Sequence, residues 1–372
     1  VTQWRQGVAS SLHSTGDRLT VSHGHGRLCG EREVEVSGER HRAETIILNV
    51  GARPSIPALP GLSTVPFLDN ERLMELRELP RHLVILGGGY IGCEFGQMFR
   101  RFGAEVTIVD HNDHLLSRED PDVSTALEGV FRAEGIQLAL GDAAASVEAE
   151  SAGLVLRTTK GRELRGSHLL VAVGRRPNTD DLGCAAAGVT LDSRGFIQVD
   201  DGYATSAPGI YAVGDVTGGP QFTHTSWDDH RLLFERLLPG ERRPGSRSRS
   251  ARLVPYAVFT DPQVAGVGLS EREARQKGRP FEVATMPFGD IARAVELDET
   301  AGMMKILVDP HSEQLLGCRI VGAEAGELIH IFVSLMAAGA STHTIVDTEF
   351  VHPTFAEGVQ QLVMKLPRYT LS

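Results

Sequence analysis

Leu83-Val84-Ile85-Leu86-Gly87-Gly88-Gly89-Tyr90-Ile91-Gly92 opens the stretch that decides the fold, which runs on to Val106-Thr107-Ile108-Val109-Asp110. Residues 83–86 read as a buried strand, 91–102 as a helix and 106–109 as a second strand, so the stretch is a βαβ unit and implies a parallel sheet. Gly87 to Gly92 matches GxGxxG directly between strand and helix. In that place Gly87 permits a tight turn, Gly89 lets a pyrophosphate approach the backbone, and Gly92 lets the helix pack on the strand. Gly88, Tyr90, Ile91 and Cys93 complete the loop and the first helical turn, whose N–H groups stabilise phosphate charge. The second strand ends in Asp110, whose carboxylate can accept both ribose hydroxyls of an adenosine half. A 2′-phosphate would be repelled there, and His111-Asn112-Asp113 offers no arginine fork. The expected ligand is NAD, with NADP disfavoured.

Outward from this unit, residues 1–14 read as the tail of a helix and residues 19–22, 33–36 and 46–50 as short strands, the last ending in Gly51. Pro54, Pro57, Pro60 and Gly61 break regular structure and mark a linker. A helix is expected over 121–134, with strands over 137–140, 154–158 and 169–173, the last running into Gly174. Strand character returns at 197–199 and 209–213, and a helix is expected over 228–238. The arginine-bearing stretch 239–250, with Arg242, Arg243, Arg247 and Arg249, lacks interleaved aromatics and reads as a solvated connector, not a phosphate patch. Residues 254–372 alternate strands (304–308, 315–321) with a helix near 326–338 and form a separate α+β domain.

Composition narrows the function classes. A net charge of −11 over 372 residues gives no reason to expect a nucleic-acid partner. The cysteines, Cys29, Cys93, Cys184 and Cys318, lie far apart with no CxxC or CxxxxC pair, as suits reduced thiols and no cysteine metal site. No stretch has the roughly twenty apolar residues of a membrane span, and no secretory pattern opens the chain, so a cytoplasmic location is the expectation.

Read together, these pieces resemble the class I pyridine nucleotide-disulfide oxidoreductases, such as dihydrolipoamide dehydrogenase and mercuric reductase. The likeness is carried by Asn49-Val50-Gly51-Ala52-Arg53-Pro54, Gly87 to Glu94, Val173-Gly174-Arg175-Arg176-Pro177-Asn178, Gly209 to Asp215, Phe259-Thr260-Asp261-Pro262 and His352-Pro353-Thr354-Phe355-Ala356-Glu357. The resemblance implies an α/β chain with two Rossmann-like dinucleotide-binding domains and an α+β dimerisation domain. Residues 1–62 would be a remnant of the FAD domain, 63–184 the NAD(P) domain, 185–252 the return to the FAD side and 253–372 the dimerisation domain. It further implies that Glu94 and Gly174 lie beside the nicotinamide, that Asp215 holds the ribityl chain of FAD, and that Arg53 and Pro54 shape a backbone crossing near the flavin. His352 would be a general acid/base whose tautomer Glu357 fixes, reaching across a homodimer to the partner's redox cysteines. FAD and NAD are the implied cofactors, and a disulfide or small-molecule acceptor the implied substrate.

Two family features are absent from the sequence: an amino-terminal GxGxxG for the flavin pyrophosphate, and a redox CxxxxC pair. Either the chain, which begins at Val1, is a fragment of an active oxidoreductase with impaired or no activity by itself, or it is an NAD-binding, dimerising protein without catalysis. The first is the expectation, because a shortened protein would leave strands 46–50 and 209–213 without a central neighbour and expose apolar faces. A flavin-free NAD dehydrogenase with substrate near His352 is a third reading, without a second substrate motif to support it.

Overall fold

The computed structural model describes residues 2–13, 16–238 and 248–370. Arg242, Arg243 and Arg247 of the expected connector lie outside the described residues. The chain divides into two compact units, each assembled from two segments: Val1–Arg53 with Arg176–Ala251, and Pro54–Arg175 with Arg252–Ser372.

The second unit holds the βαβ stretch. Its parallel sheet has the order His168–Val171, His82–Leu86, Glu105–Val109, Gln137–Ala139. Leu83 pairs with Val106 on one side and His168 on the other. Leu83, Val84 and Ile85 have no exposed surface, as expected of a strand covered on both faces. Helix Tyr90–Arg101 covers one face, and a three-stranded antiparallel sheet (Ala144–Glu150, Gly153–Thr158, Glu163–Gly166) supplies apolar side chains to the other. Helix Pro121–Ala133 starts with proline in its first turn, where the missing N–H costs nothing. The same unit contains a five-stranded antiparallel sheet in the order Tyr256–Val258, Gln263–Gly268, Leu315–Gly322, Met303–Val308, Glu282–Pro287, with helix Ala325–Ala337 against it. Val258, Val264 and Val321 of that sheet join Ile85, Phe99 and Ile108 in one core.

Buried ionic networks tie these sheets together. The ammonium of Lys305, a fully buried side chain, meets Asp122 at 2.7 Å, Asp120 at 2.9 Å and Glu271 at 3.1 Å. Asp120 precedes helix Pro121–Ala133 yet caps another helix, accepting the N–H groups of Glu271 and Arg272 at 2.9 and 3.1 Å. Arg319 donates to Glu119 at 2.9 Å, and Glu119 accepts the Tyr256 hydroxyl at 2.5 Å.

In the first unit a hairpin-linked sheet (Gly26–Gly30, Glu33–Val36, Glu39–Arg42) accompanies helices Thr2–His13 and Thr223–Leu237. The strand expected at 19–22 is not formed; it lies at Gly26–Gly30, where a two-residue turn gives it an antiparallel partner, Gly26 facing Val36. The strand expected at 197–199 reduces to a single bridge between Leu191 and Ile197. Strands Ile46–Leu48 and Ile210–Ala212 pair directly and in parallel, Ile46 with Ile210. Leu48 and Ala212 face the core of this unit while Ile47 is half exposed.

Candidate dinucleotide site

The glycine loop is over-determined by sterics. Gly87 has φ +114°, a conformation that excludes most side chains, and its N–H donates to Val109 O at 2.8 Å. A Cβ at Gly87 would overlap the Ala172 carbonyl, which places residues 172–174 alongside the loop. A Cβ at Gly92 would overlap the Gly87 carbonyl, so only glycine lets the helix sit this close to the strand end. Gly88 is tied at both ends: its N–H donates to Asp110 Oδ2 at 2.6 Å and its carbonyl accepts the Leu116 N–H at 2.8 Å. Gly89 differs. It is exposed, adopts φ −79° and ψ −172°, and a Cβ there would meet nothing within 4 Å. Open space therefore lies over Gly89, at the amino end of helix Tyr90–Arg101, where first-turn N–H groups favour an anion. A pyrophosphate fits there, and its donors start at Gly89 because the Gly88 N–H is already used.

Asp110 closes the other side. Its Oδ1 accepts both the main-chain N–H and the side-chain Nδ2 of Asn112 at 2.8 Å, with His111 Nδ1 3.3 Å away. With Oδ1 filled and Oδ2 bonded to Gly88, one acceptor position on Oδ2 is left for a ribose hydroxyl, where sequence suggested room for two.

Along the helix, Tyr90 stacks on Tyr256 with ring centroids 6.0 Å apart. The thiol of Cys93 is fully buried against the Gly88 carbonyl, and burial pushes it far above the ordinary thiol range, as suits a packing residue. Glu94 is half-buried and accepts the Phe259 N–H at 2.8 Å. Burial raises its carboxyl above the ordinary carboxylate value, and the Phe259 bond offsets this in part. One turn on, Gln97 grips the same loop by a reciprocal pair, donating to Asp261 O at 2.6 Å and accepting the Asp261 N–H at 2.7 Å. Nothing in the local sequence announces Gln97 or Asn112 as site residues. The neighbouring strand ends at Val171, short of the expected 173, and Gly174 follows three residues later in the left-handed region (φ +116°), exposed and with no atom within 4 Å of where its Cβ would be.

Elsewhere in this unit, His352 Nδ1 lies 2.9 Å from Glu357 Oε2. A carboxylate only accepts, so Nδ1 carries the proton and Nε2 is the basic atom of a ring that is 69% exposed. Asp215 belongs to the other unit, half-buried in the turn Gly214–Thr217 that follows strand Ile210–Ala212. The carbonyl ends of that strand and of Ile46–Leu48 form the edge at which open α/β sheets bind ligands. Gly51 has φ +70° and nothing within 4 Å of its Cβ position, so this edge is open. The structure thus brings Gly87 to Gly92, Cys93, Glu94 and Asp110 together, pairs His352 with Glu357, and sets Asp215 in a separate unit.

The pyridine nucleotide-disulphide oxidoreductase model matches residues 1–229, and the dimerisation domain of the same family matches residues 254–363. The chain belongs to this family. Among relatives, a probable pyridine nucleotide-disulfide oxidoreductase, RclA, of Escherichia coli is 38% identical over 336 residues, covering 89% of this chain and 74% of its own. A dihydrolipoyl dehydrogenase of Thermus scotoductus is 35% identical over 384 residues, covering 99% of this chain and 81% of its own. The solved structure of the HOCl-induced flavoprotein disulfide reductase RclA from Escherichia coli superposes with TM-score 0.90 at 34% identity, over 97% of this chain and 82% of that one. Family membership makes the chain an oxidoreductase of the flavin and pyridine-nucleotide class with a mixed α/β fold and a dimerisation domain. Among the described residues no helix is long and apolar enough to cross a membrane, and no cluster of three or more His, Cys, Asp or Glu could hold a metal ion.

Proposed function

We propose that the chain binds NAD, in preference to NADP, on the loop Gly87 to Gly92, and that it serves hydride transfer from the reduced nucleotide to FAD and on to a disulfide or other acceptor. The observation that carries the reading is the contrast within the loop: Gly87 and Gly92 are sterically obligatory, while Gly89 opens on space at a helix amino end. In this reading Asp110 accepts a ribose hydroxyl, Glu94 and Gly174 flank the nicotinamide, and Asp215 accepts from the flavin ribityl chain. Flavin, when bound, supplies the relay between hydride donor and acceptor. His352 takes and returns a proton at Nε2, and the Glu357 carboxylate holds its ring. The dimerisation domain supports a homodimer, with the unit of residues 1–53 and 176–251 on the flavin side, residues 54–175 on the nucleotide side and 252–372 at the dimer contact.

The test is an NADH titration of the chain by nucleotide fluorescence, with Asp110→Arg alongside. NADH binding that weakens roughly tenfold or more in the variant supports the reading. Equal affinity in the two proteins removes Asp110 from the site, and no NADH binding by the parent chain overturns the reading.

A further inference from the structure

The frame around Asp110 is more rigid than a ribose-binding carboxylate needs. Its main chain is clamped to the next strand end, Asp110 N–H to Ala139 O at 3.1 Å and Asp142 N–H to Asp110 O at 3.0 Å. Asn112 is clamped too, its carbonyl accepting the Gly141 N–H at 2.7 Å. From that anchored position Asn112 donates from both its main-chain N and its side-chain Nδ2 to one oxygen of Asp110. Of the nearby cations, Arg162 lies 3.5 Å from the buried Asp142, while the Lys160 ammonium stands near Gly141, on the segment that clamps Asn112. A carboxylate free to swing aside would open this corner, with His111 and Lys160 at its rim, to a 2′-phosphate.

We propose that Asn112 is a positioning residue for nucleotide choice: by filling Asp110 Oδ1 it aims Oδ2 at the Gly88 N–H and at one ribose hydroxyl, and keeps the negative charge where a 2′-phosphate would go. The proposal rests on the nucleotide reading of the glycine loop. It goes further in assigning the discrimination between NADH and NADPH to a residue that touches neither.

The experiment measures NADH and NADPH dissociation constants for the parent chain, Asn112→Ala, Asn112→Asp and Asp110→Asn, with thermal unfolding of each. Asn112 is half-buried on a loop, and its main-chain bond to Oδ1 survives either substitution. Loss of one hydrogen bond to a charged acceptor is expected to weaken NADH about five- to tenfold in Asn112→Ala. NADPH should weaken less, so that the ratio of the two narrows. Asn112→Asp keeps the shape but sets an acceptor against Oδ1, and is expected to bind NADH more weakly than Asn112→Ala. A residue that merely packs would give the opposite order. Equal losses for both nucleotides in Asn112→Ala, or no loss while Asp110→Asn binds poorly, overturn the role of Asn112 and leave the nucleotide site standing. Unchanged binding in Asp110→Asn as well removes Asp110 from the site and this proposal with it, and no NADH binding by the parent chain overturns the nucleotide reading beneath it.

Discussion

Gly89→Ala separates ligand binding from folding at the glycine loop. Because Gly89 already has extended backbone angles that alanine adopts without strain, and its Cβ would meet nothing within 4 Å, the folded chain accepts the methyl group. The change in stability should stay within about 1 kcal/mol, a small loss at the helix N-cap opposing a small gain from a stiffer unfolded chain. The methyl group nonetheless stands where the pyrophosphate would lie. Losing one or two charge-assisted bonds there amounts to roughly 1.5–3 kcal/mol, or about 10- to 150-fold in affinity. Gly92→Ala is the counterpart: its Cβ would overlap the Gly87 carbonyl, and Gly87 is pinned by its bond to Val109, so the helix must move off the sheet. That overpacking costs about 1–3 kcal/mol of stability. Isothermal titration with NADH, beside thermal unfolding followed by far-ultraviolet circular dichroism, reads both quantities. Full NADH affinity in Gly89→Ala would refute the idea that phosphate crosses Gly89; an undisturbed melting temperature in Gly92→Ala would refute the steric account of the loop.

Lys305→Met removes the ammonium from between Asp120, Asp122 and Glu271, leaves the buried Asp120 without its cation, and is expected to cost about 3–5 kcal/mol in urea unfolding at pH 7. Burial works against the Asp120 carboxylate, but Lys305 and the N–H groups of Glu271 and Arg272 hold its pKa below the ordinary value. Its stabilisation is therefore full above the unfolded carboxylate pKa and fades as pH falls through the lower native value, and the variant should show a shallower acid limb than the parent. Glu94 has the opposite sign. Burial raises its pKa, so its contribution is present below the unfolded value and is lost as pH rises through the native one. Glu94→Gln, which can still accept the Phe259 N–H, should then gain stability over the parent at pH 8 and not at pH 4; equal pH profiles would contradict this. In the first unit, Asp229 accepts the Tyr203 hydroxyl and the Gly214 N–H, each at 2.7 Å, beside the turn that carries Asp215. Asp229→Asn should lower stability by about 1–3 kcal/mol, measured by thermal unfolding, and an unchanged melting temperature would count against that bond pair.

What could be read from the sequence follows how local each signal is. The βαβ stretch was legible because the strand, glycine loop, helix and Asp110 are contiguous and each has its own pattern. The strand Glu39–Arg42 was not, since all four of its residues are exposed and polar and only its pairing with Glu33–Val36 makes it a strand. Similarly, Ala144–Glu150 carries mostly surface residues, and its one fully buried side chain, Val147, gives no alternation to detect. Asp110 was found by its place at a strand end, but its bonds to Gly88 and Asn112 depend on side-chain geometry that no spacing encodes. Gln97 and Asp261, 164 residues apart, meet only because two sheets share a core. The family resemblance named Phe259 to Pro262 as a motif without saying that its N–H groups hold Glu94 and Gln97.

The pairing of Lys305 with Asp122, 183 residues earlier, and of Arg319 with Glu119, 200 residues earlier, also sets a timetable. At about 5–20 residues per second on the ribosome, these carboxylates emerge roughly 10–40 s before the cations that neutralise them. For most of that interval Pro54–Arg175 is outside the ribosome without the carboxyl-terminal strands that complete its core, and the intervening segment Arg176–Ala251 belongs to the other unit. The second unit therefore reaches its native core only after the strands that carry Val258, Val264 and Val321 have emerged, and the half-built sheet around Ile85 and Ile108 is the surface a nascent-chain chaperone would meet.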